Sequence, residues 1–250
     1  MIETSRPNAS SVHIELCVPE RANALSAELV EALIEAVSTA LRTPPALLVL
    51  RGRGRSFCGG FDLGGLDGES DASLAWRFLR VEHLLQLVHG APCCTLALAQ
   101  GPVAGAGADL FAACTRRVAA PDSSFRFPGP RFGVVLGTGR LMRLIGPHAQ
   151  AALLGQQTFD AQSALRVGLA DTLASAEEWK ALAERLADSA GSVPAEAARR
   201  ISVQKRVHDD QEMGQLAQSV LQPGLKQRMT KYWQDARARS PPPPAESRAR

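Results

Sequence analysis

Two short apolar runs, ALLVL at residues 46–50 and CCTLALA at 93–99, each lead almost directly into a glycine-rich loop. A run of that length without polar alternation is the pattern of a strand covered on both faces, and a sheet of such strands needs a helical layer on each side. This restricts the chain to a layered α/β architecture. The segment VHIELCV at 12–18 alternates as a first strand, with His13 and Glu15 on one face, while residues 1–10 are polar and read as loose. Ser26, with Leu29, Leu33 and Val37 behind it, predicts an N-cap and an amphipathic helix that ends near Leu41, before Pro44 and Pro45. That helix and the 46–50 strand complete a crossover that should be parallel and right-handed.

The glycine loops carry the chemistry. RSFCGGFDL at 55–63 follows the first apolar run, and GPVAGAGADL at 101–110 follows the second. Between Gly101 and Gly107 nearly every side chain is small or absent, which lets backbone amides approach a ligand closely. Leu110, Phe111 and Cys114 then fall at helical spacing, so this loop meets a helix N-terminus, a place for negative charge. One N–H from each loop, converging on a carbonyl oxygen, would form a two-donor oxyanion hole, in which a single donor is typically worth roughly 3 kcal/mol.

Further along, residues 64–73 read as a polar, flexible stretch and 75–88 as a helix with His83 and His89 flanking its apolar face. The histidines suit a partly buried structural role; the alternative is that one points into a pocket. Short strands are expected at 116–119 and 125–127, and a helix at 137–145. The last third is helical by periodicity, at 147–154, 160–167 with Asp160 as N-cap, 176–190 and 194–207. The stretch SPPPPAESRAR at 240–250 is proline-rich and apolar-poor, the composition of a disordered tail.

Composition closes off several function classes. With 250 residues, 45% hydrophobic and 21% charged, the chain can bury a full core, and a net charge of +3 gives no footprint for nucleic acid. Arg51, Arg53 and Arg55 form a run with two readings: a solvated strand end, or a cradle for phosphate oxygens. Five cysteines, at 17, 58, 93, 94 and 114, lack CxxC spacing and read as reduced core residues of a cytoplasmic protein. Cys58 alone sits in a loop with chemistry, where it reads as a small side chain rather than a nucleophile. No signal-peptide pattern, membrane span or metal-binding spacing is present.

The chain resembles the crotonase, or enoyl-CoA hydratase/isomerase, family. The likeness rests on the order of ERANALSAELVEAL at 20–33, SFCGGFDL, GPVAGAGADLFAAC, FPGPRFGVVLGTG at 127–139 and FDAQSALRVGLADTL at 159–173. It implies an α/β, crotonase-like (ββα)n spiral core over 1–190, a C-terminal helical trimerisation region over 191–239, and the tail. By the same resemblance, the oxyanion amides fall on Gly59 and Ala106, and the coenzyme A moiety should meet Arg21, Ala22, Gly59, Gly60, Phe61, Asp62 and Leu63. A coenzyme A thioester is then the substrate, with no tightly bound cofactor, and the assembly a homotrimer or hexamer. Family hydratases use two carboxylates. Here the first position is Asp109 and the second is Gly129, which has no side chain. The expectation is an acyl-CoA enzyme of this type, atypical in its single carboxylate; the alternatives are a catalytically reduced homologue that binds acyl-CoA or assists a partner enzyme, and a decarboxylase or C–C lyase.

Overall fold

A computed structural model describes residues 1–239, so the tail expected at 240–250 lies outside the described residues. The chain opens with a hairpin, β1 (Ile2–Asn8) and β2 (Ser11–Leu16). Residues 1–10 are therefore not loose, as their polarity suggested. β1 is held by backbone pairing from Ile2↔Leu16 to Asn8↔Ser11, and its turn by the Asn8 side chain, which accepts from Ser10 N and Ser11 Oγ. Every β1 side chain after Ile2 is exposed, so no apolar periodicity marks it.

Helix α1 (Ala27–Arg42) starts as expected, with Ser26 accepting from Leu29 N at 3.2 Å, and buries Leu29, Val30, Leu33, Ile34, Val37 and Ala40. Strand β3 (Leu47–Gly52) returns parallel to β2. Helix α2 (Asp71–His89) begins earlier than its apolar pattern shows, because Ser70 and Ser73 form a reciprocal capping box. The stretch before it is also more ordered than its composition suggests: a single turn, Leu66–Gly68, buries Leu66, and Glu69 pairs with Arg77 at 2.7 Å.

Strand β4 (Cys94–Ala99), strand β5 (Pro102–Ala104) and helix α3 (Ala106–Ala113) form the second strand–loop–helix unit. Strands β6 (Arg116–Ala119) and β7 (Ser124–Arg126) follow, then α4 (Thr138–Ile145), α5 (His148–Leu153), β8 (Phe159–Asp160), α6 (Ala161–Val167) and β9 (Thr172–Leu173). Asp160 caps α6 by accepting from Ser163 N at 2.7 Å. Asp171 is structural: it accepts from Arg117 N and pairs with the Arg117 guanidinium at 2.6 Å.

The main sheet runs β1-β2-β3-β4-β6-β9, parallel except for the opening hairpin, and a small sheet runs β5-β7-β8. The central strands are covered on both faces, as their unbroken apolar runs require. Leu47, Val49, Leu96, Leu98 and Val118 pack with Trp179, Ala183 and Ala187 of α7 (Trp179–Gly191), while Leu48, Leu50, Ala97 and Ala99 belong to the main core with α1, α2 and α3. The remaining helices are α8 (Ala195–Lys205), α9 (Asp209–Val220) and α10 (Leu225–Arg239). The helical region expected over 191–239 is made of these helices, the last two separated around Pro223 and Gly224, with Gly224 at φ +79°. α10 docks on the start of α2, where Asp71 accepts from Gly224 N and Lys226 N at 2.8 Å each. Among the described residues no helix is long and apolar enough to cross a membrane.

Candidate active site

The two glycine loops meet. Gly60, at φ +94°, lies so close to the second loop that a Cβ there would stand 2.3 Å from Ala104 O and 3.5 Å from Ala106 N. Gly107 seals the contact from the other side, since a Cβ on it would meet Cys58 O at 2.4 Å. Only glycine permits these approaches, which explains the composition of both loops. Above the seam is a cavity of about 100 Å³, walled by Gly59, Gly60, Phe61 and Leu63 from the first loop and by Ala104, Gly105, Ala106 and Asp109 from the second. Phe78, Phe127, Pro128, Gly129, Pro130, Phe132 and Leu136 complete an apolar wall, with Arg126 and Tyr232 also on it. Tyr232 of the last helix packs with its ring centroid 5.0 Å from that of Phe132, the two rings tilted by 46°.

The amides of the first loop differ in what they meet. Gly59 N donates to Ala22 O at 2.7 Å, so it is not free to act as the oxyanion donor that the resemblance assigned to it. Gly60 N faces the Cys58 sulfur. Phe61 N has no hydrogen-bond partner among the described residues, and neither has Ala106 N, the first amide of α3, whose ladder begins with Asp109 N donating to Gly105 O. Phe61 and Ala106 therefore supply the unpaired N–H groups on the two sides of the seam. Sequence reasoning missed Phe61 because the choice among neighbouring amides depends on the partners of the other two.

Of the residues expected at the coenzyme, Gly59, Gly60, Phe61 and Leu63 line the cavity, whereas Arg21, Ala22 and Asp62 do not. Arg21 and the buried Asp62 form an ion pair at 2.6 Å behind the loop, and Asp62 also accepts from Gly64 N. Arg53 is likewise engaged, bridging Glu3 and Glu15 at 2.5 Å each, and Arg51 pairs with Glu15 at 3.1 Å. These partners belong to the solvated strand-end reading of the arginine run. The same arginines sit on a cluster of ligand-type side chains, Glu3, Glu15 and Cys17.

Asp109 is buried, its carboxyl makes no hydrogen bond among the described residues, and it is the one carboxyl on the cavity wall among them. Burial pushes its pKa well above the usual carboxylate range; Arg140 opposes this, and Glu82 and Glu212 add to it. Its Oδ1 would lie 2.8 Å from a Cβ on Gly137, so the glycine before α4 makes room for the carboxyl. Gly129 lines the same cavity, and a Cβ there would come within 2.9 Å of Val134 O.

The remaining candidates lie outside the wall. His83 and His89 do not line the cavity; burial lowers both, His89 to about 4, which fits structural, neutral imidazoles. Cys58 donates to Asn23 O at 3.2 Å and is pushed up to about 12 by burial, so it holds no thiolate at neutral pH. All five cysteines are free.

The chain matches known proteins over most of its length. A family model described as enoyl-CoA hydratase/isomerase matches residues 6–232. A Mycobacterium bovis protein named as an enoyl-CoA hydratase, echA6, is 39% identical over 181 residues, covering 70% of this chain and 72% of its own. The ethylmalonyl-CoA decarboxylase of Gallus gallus is 34% identical over 143 residues, 55% of this chain and 48% of its own. The crystal structure of a protein assigned as an enoyl-CoA hydratase/isomerase from Bordetella parapertussis superposes with a TM-score of 0.90 at 41% identity, covering 93% of this chain and 98% of that one.

Proposed function

Since the chain belongs to the enoyl-CoA hydratase/isomerase family and has the crotonase fold, we propose that it acts on an acyl-CoA thioester whose carbonyl oxygen is held by the Phe61 and Ala106 N–H groups while an enolate forms. The observation that carries this is the seam itself: two unpaired amides, one from each loop, on a cavity wall whose one described carboxyl is Asp109. Two such donors act where negative charge develops, in a site walled mostly by carbon.

Asp109 is the proton-transfer group in this reading. Held neutral by burial, it is an acid first. In hydration it gives its proton to the α-carbon as water adds to the β-carbon, and takes a proton back from the added water, so one carboxyl serves both steps. Gly129 leaves the position of a second carboxylate empty of side chain. A second reading is favoured by the same neutral Asp109: loss of CO2 from an α-carboxylated thioester creates the enolate without a base, and only an acid is then needed at the α-carbon. The decarboxylase relative supports this option.

The assembly and location follow as parts of the proposal. Ile201 and Val203 on α8 and nearby Val207 are exposed apolar side chains, which supports helix-mediated assembly into a trimer or hexamer. Free cysteines throughout support a cytoplasmic site of action.

The test is the loss of enoyl-thioester absorbance with crotonyl-CoA and with a longer or aromatic enoyl-CoA, for wild type and Asp109→Asn. Hydration that falls about 10²–10⁴-fold in the variant supports Asp109 as acid and base. Wild type that binds acyl-CoA by calorimetry yet leaves every enoyl thioester unchanged refutes hydration and directs the assay to α-carboxylated thioesters.

A further inference from the structure

Behind Asp109 lies an ion cluster that the mechanism above does not use. Arg140 of α4, with its side chain 3% exposed, contacts Glu82 of α2 at 2.9 Å and Glu212 of α9 at 3.2 Å; those two carboxylates are 0% and 5% exposed. Arg143, one turn along α4, also pairs with Glu212 from the solvent side. Gly137, just before α4, makes room for Asp109, and Glu212 Oε1 lies at ordinary contact distance from Gly139, 3.4 Å from where a Cβ would stand. The first turn of α4 is thus flanked by the site carboxyl and by the cluster.

Two features argue that this is more than a cross-link between helices. Buried ion pairs are weak contributors to stability, and a purely structural one should have its polar atoms satisfied. Here Arg140 Nε and Nη1 and Glu82 Oε2 are buried without hydrogen-bond partners, and Glu212 Oε2 meets only the Arg140 guanidinium, at 3.2 Å. Glu82 and Glu212 also face Arg140 and Arg143, so the Arg140 charge is shared with two carboxylates besides Asp109.

We propose that Arg140, Glu82 and Glu212 are positioning residues of the candidate site: the two glutamates hold Arg140 in a buried ion cluster behind α3 and so restrain its cation from stabilising an Asp109 anion. The proposal rests on reading Asp109 as the acid of the site. Asp109 is faced by Arg140 from α4, Glu82 from α2 and Glu212 from α9. Glu82 competes for the same Arg140, being itself pushed up by burial, and Gln86 donates to its Oε1 at 3.1 Å. Arg140 further acts on His89, which burial keeps neutral, and on Asp209, which burial pushes up. Removing one negative neighbour should release part of the Arg140 charge to Asp109 and favour its anion.

The experiment reads Asp109 directly rather than through turnover. The carbonyl stretch of the protonated carboxyl is followed by infrared spectroscopy against pH and assigned by its loss in Asp109→Asn. Wild type should show the band at pH 7, and in Glu212→Gln or Glu82→Gln it should titrate about one pH unit lower, a tenfold change in ionisation constant. The amide of Glu212→Gln retains an acceptor for Arg143, so that variant should fold; its thermal midpoint is measured alongside. A wild-type protein with no protonated band at pH 7, or folded Glu212→Gln and Glu82→Gln proteins whose Asp109 midpoint is unmoved, overturns the proposal, since a structural cross-link alters the melting temperature and not that midpoint. Full turnover by Asp109→Asn would instead refute the function assigned to Asp109 and leave the infrared result standing.

Discussion

Substituting Gly60 by alanine tests the idea that backbone contact between the two loops builds the site. Two costs are read from the structure. At φ +94° an L-residue is strained, a penalty of about 1–3 kcal/mol. The new Cβ would also overlap Ala104 O at 2.3 Å, where ordinary contact begins at 3.4 Å, so the loops must separate by about 1 Å. A displacement of about 1 Å between reacting groups can cost about 100-fold in rate. Gly60→Ala should therefore lose at least about 1 kcal/mol in denaturant unfolding and about 100-fold in thioester turnover, because Phe61 and Ala106 no longer converge. Gly65→Ala is the control, with φ +75° and nothing within 4 Å of its Cβ. It carries the strain without the overlap, and its turnover should equal that of wild type. If Gly60→Ala and Gly65→Ala are alike in both stability and turnover, the loop contact does not set the site, and the argument from the seam is wrong.

Other expected outcomes follow from the same geometry. Because the pKa of Asp109 is raised in the folded protein, the native state binds its proton more tightly than the unfolded chain, and stability falls as pH rises from the usual carboxylate value toward the raised one. Asp109→Asn should accordingly melt higher than wild type above pH 5, with the difference growing with pH until Asp109 ionises; a pH-independent difference in melting temperature would contradict the burial assigned to this carboxyl. Phe111 is fully buried between Phe57, at 6.3 Å and edge-on, and Phe125 at 4.7 Å, so Phe111→Ala should destabilise the fold by about 3–5 kcal/mol in denaturant titration. A loss below about 1 kcal/mol would show that the core under α3 closes over the gap.

How much of this was legible in the chain depended on the range of the interaction. The strands at 46–50 and 93–99, the Ser26 and Asp160 caps and the two glycine loops announce themselves because each is a pattern over a few neighbouring residues. The placement of Asp109 and Gly129 on one wall followed from the family resemblance, and both line the cavity. Strand β1 was not legible, since it is held by backbone pairing with β2 and carries no apolar face. The early start of α2 was hidden because the Ser70–Ser73 capping box lies ahead of its apolar residues.

The amide at Gly59 shows the limit most clearly. Three neighbouring N–H groups, of Gly59, Gly60 and Phe61, look equivalent in sequence, but Ala22 O takes the first and the Cys58 sulfur faces the second. Ala22 is distant in sequence, so only the folded chain decides which amide remains. The same holds for Arg140, Glu82 and Glu212, which lie on three separate helices and read singly as ordinary surface charges. Short-range periodicity and glycine placement determined the layered fold and the position of the reactive loops. Tertiary packing decided which donors stay unpaired and whether a buried carboxyl keeps its proton, because both depend on groups brought within a few ångströms from remote parts of the chain.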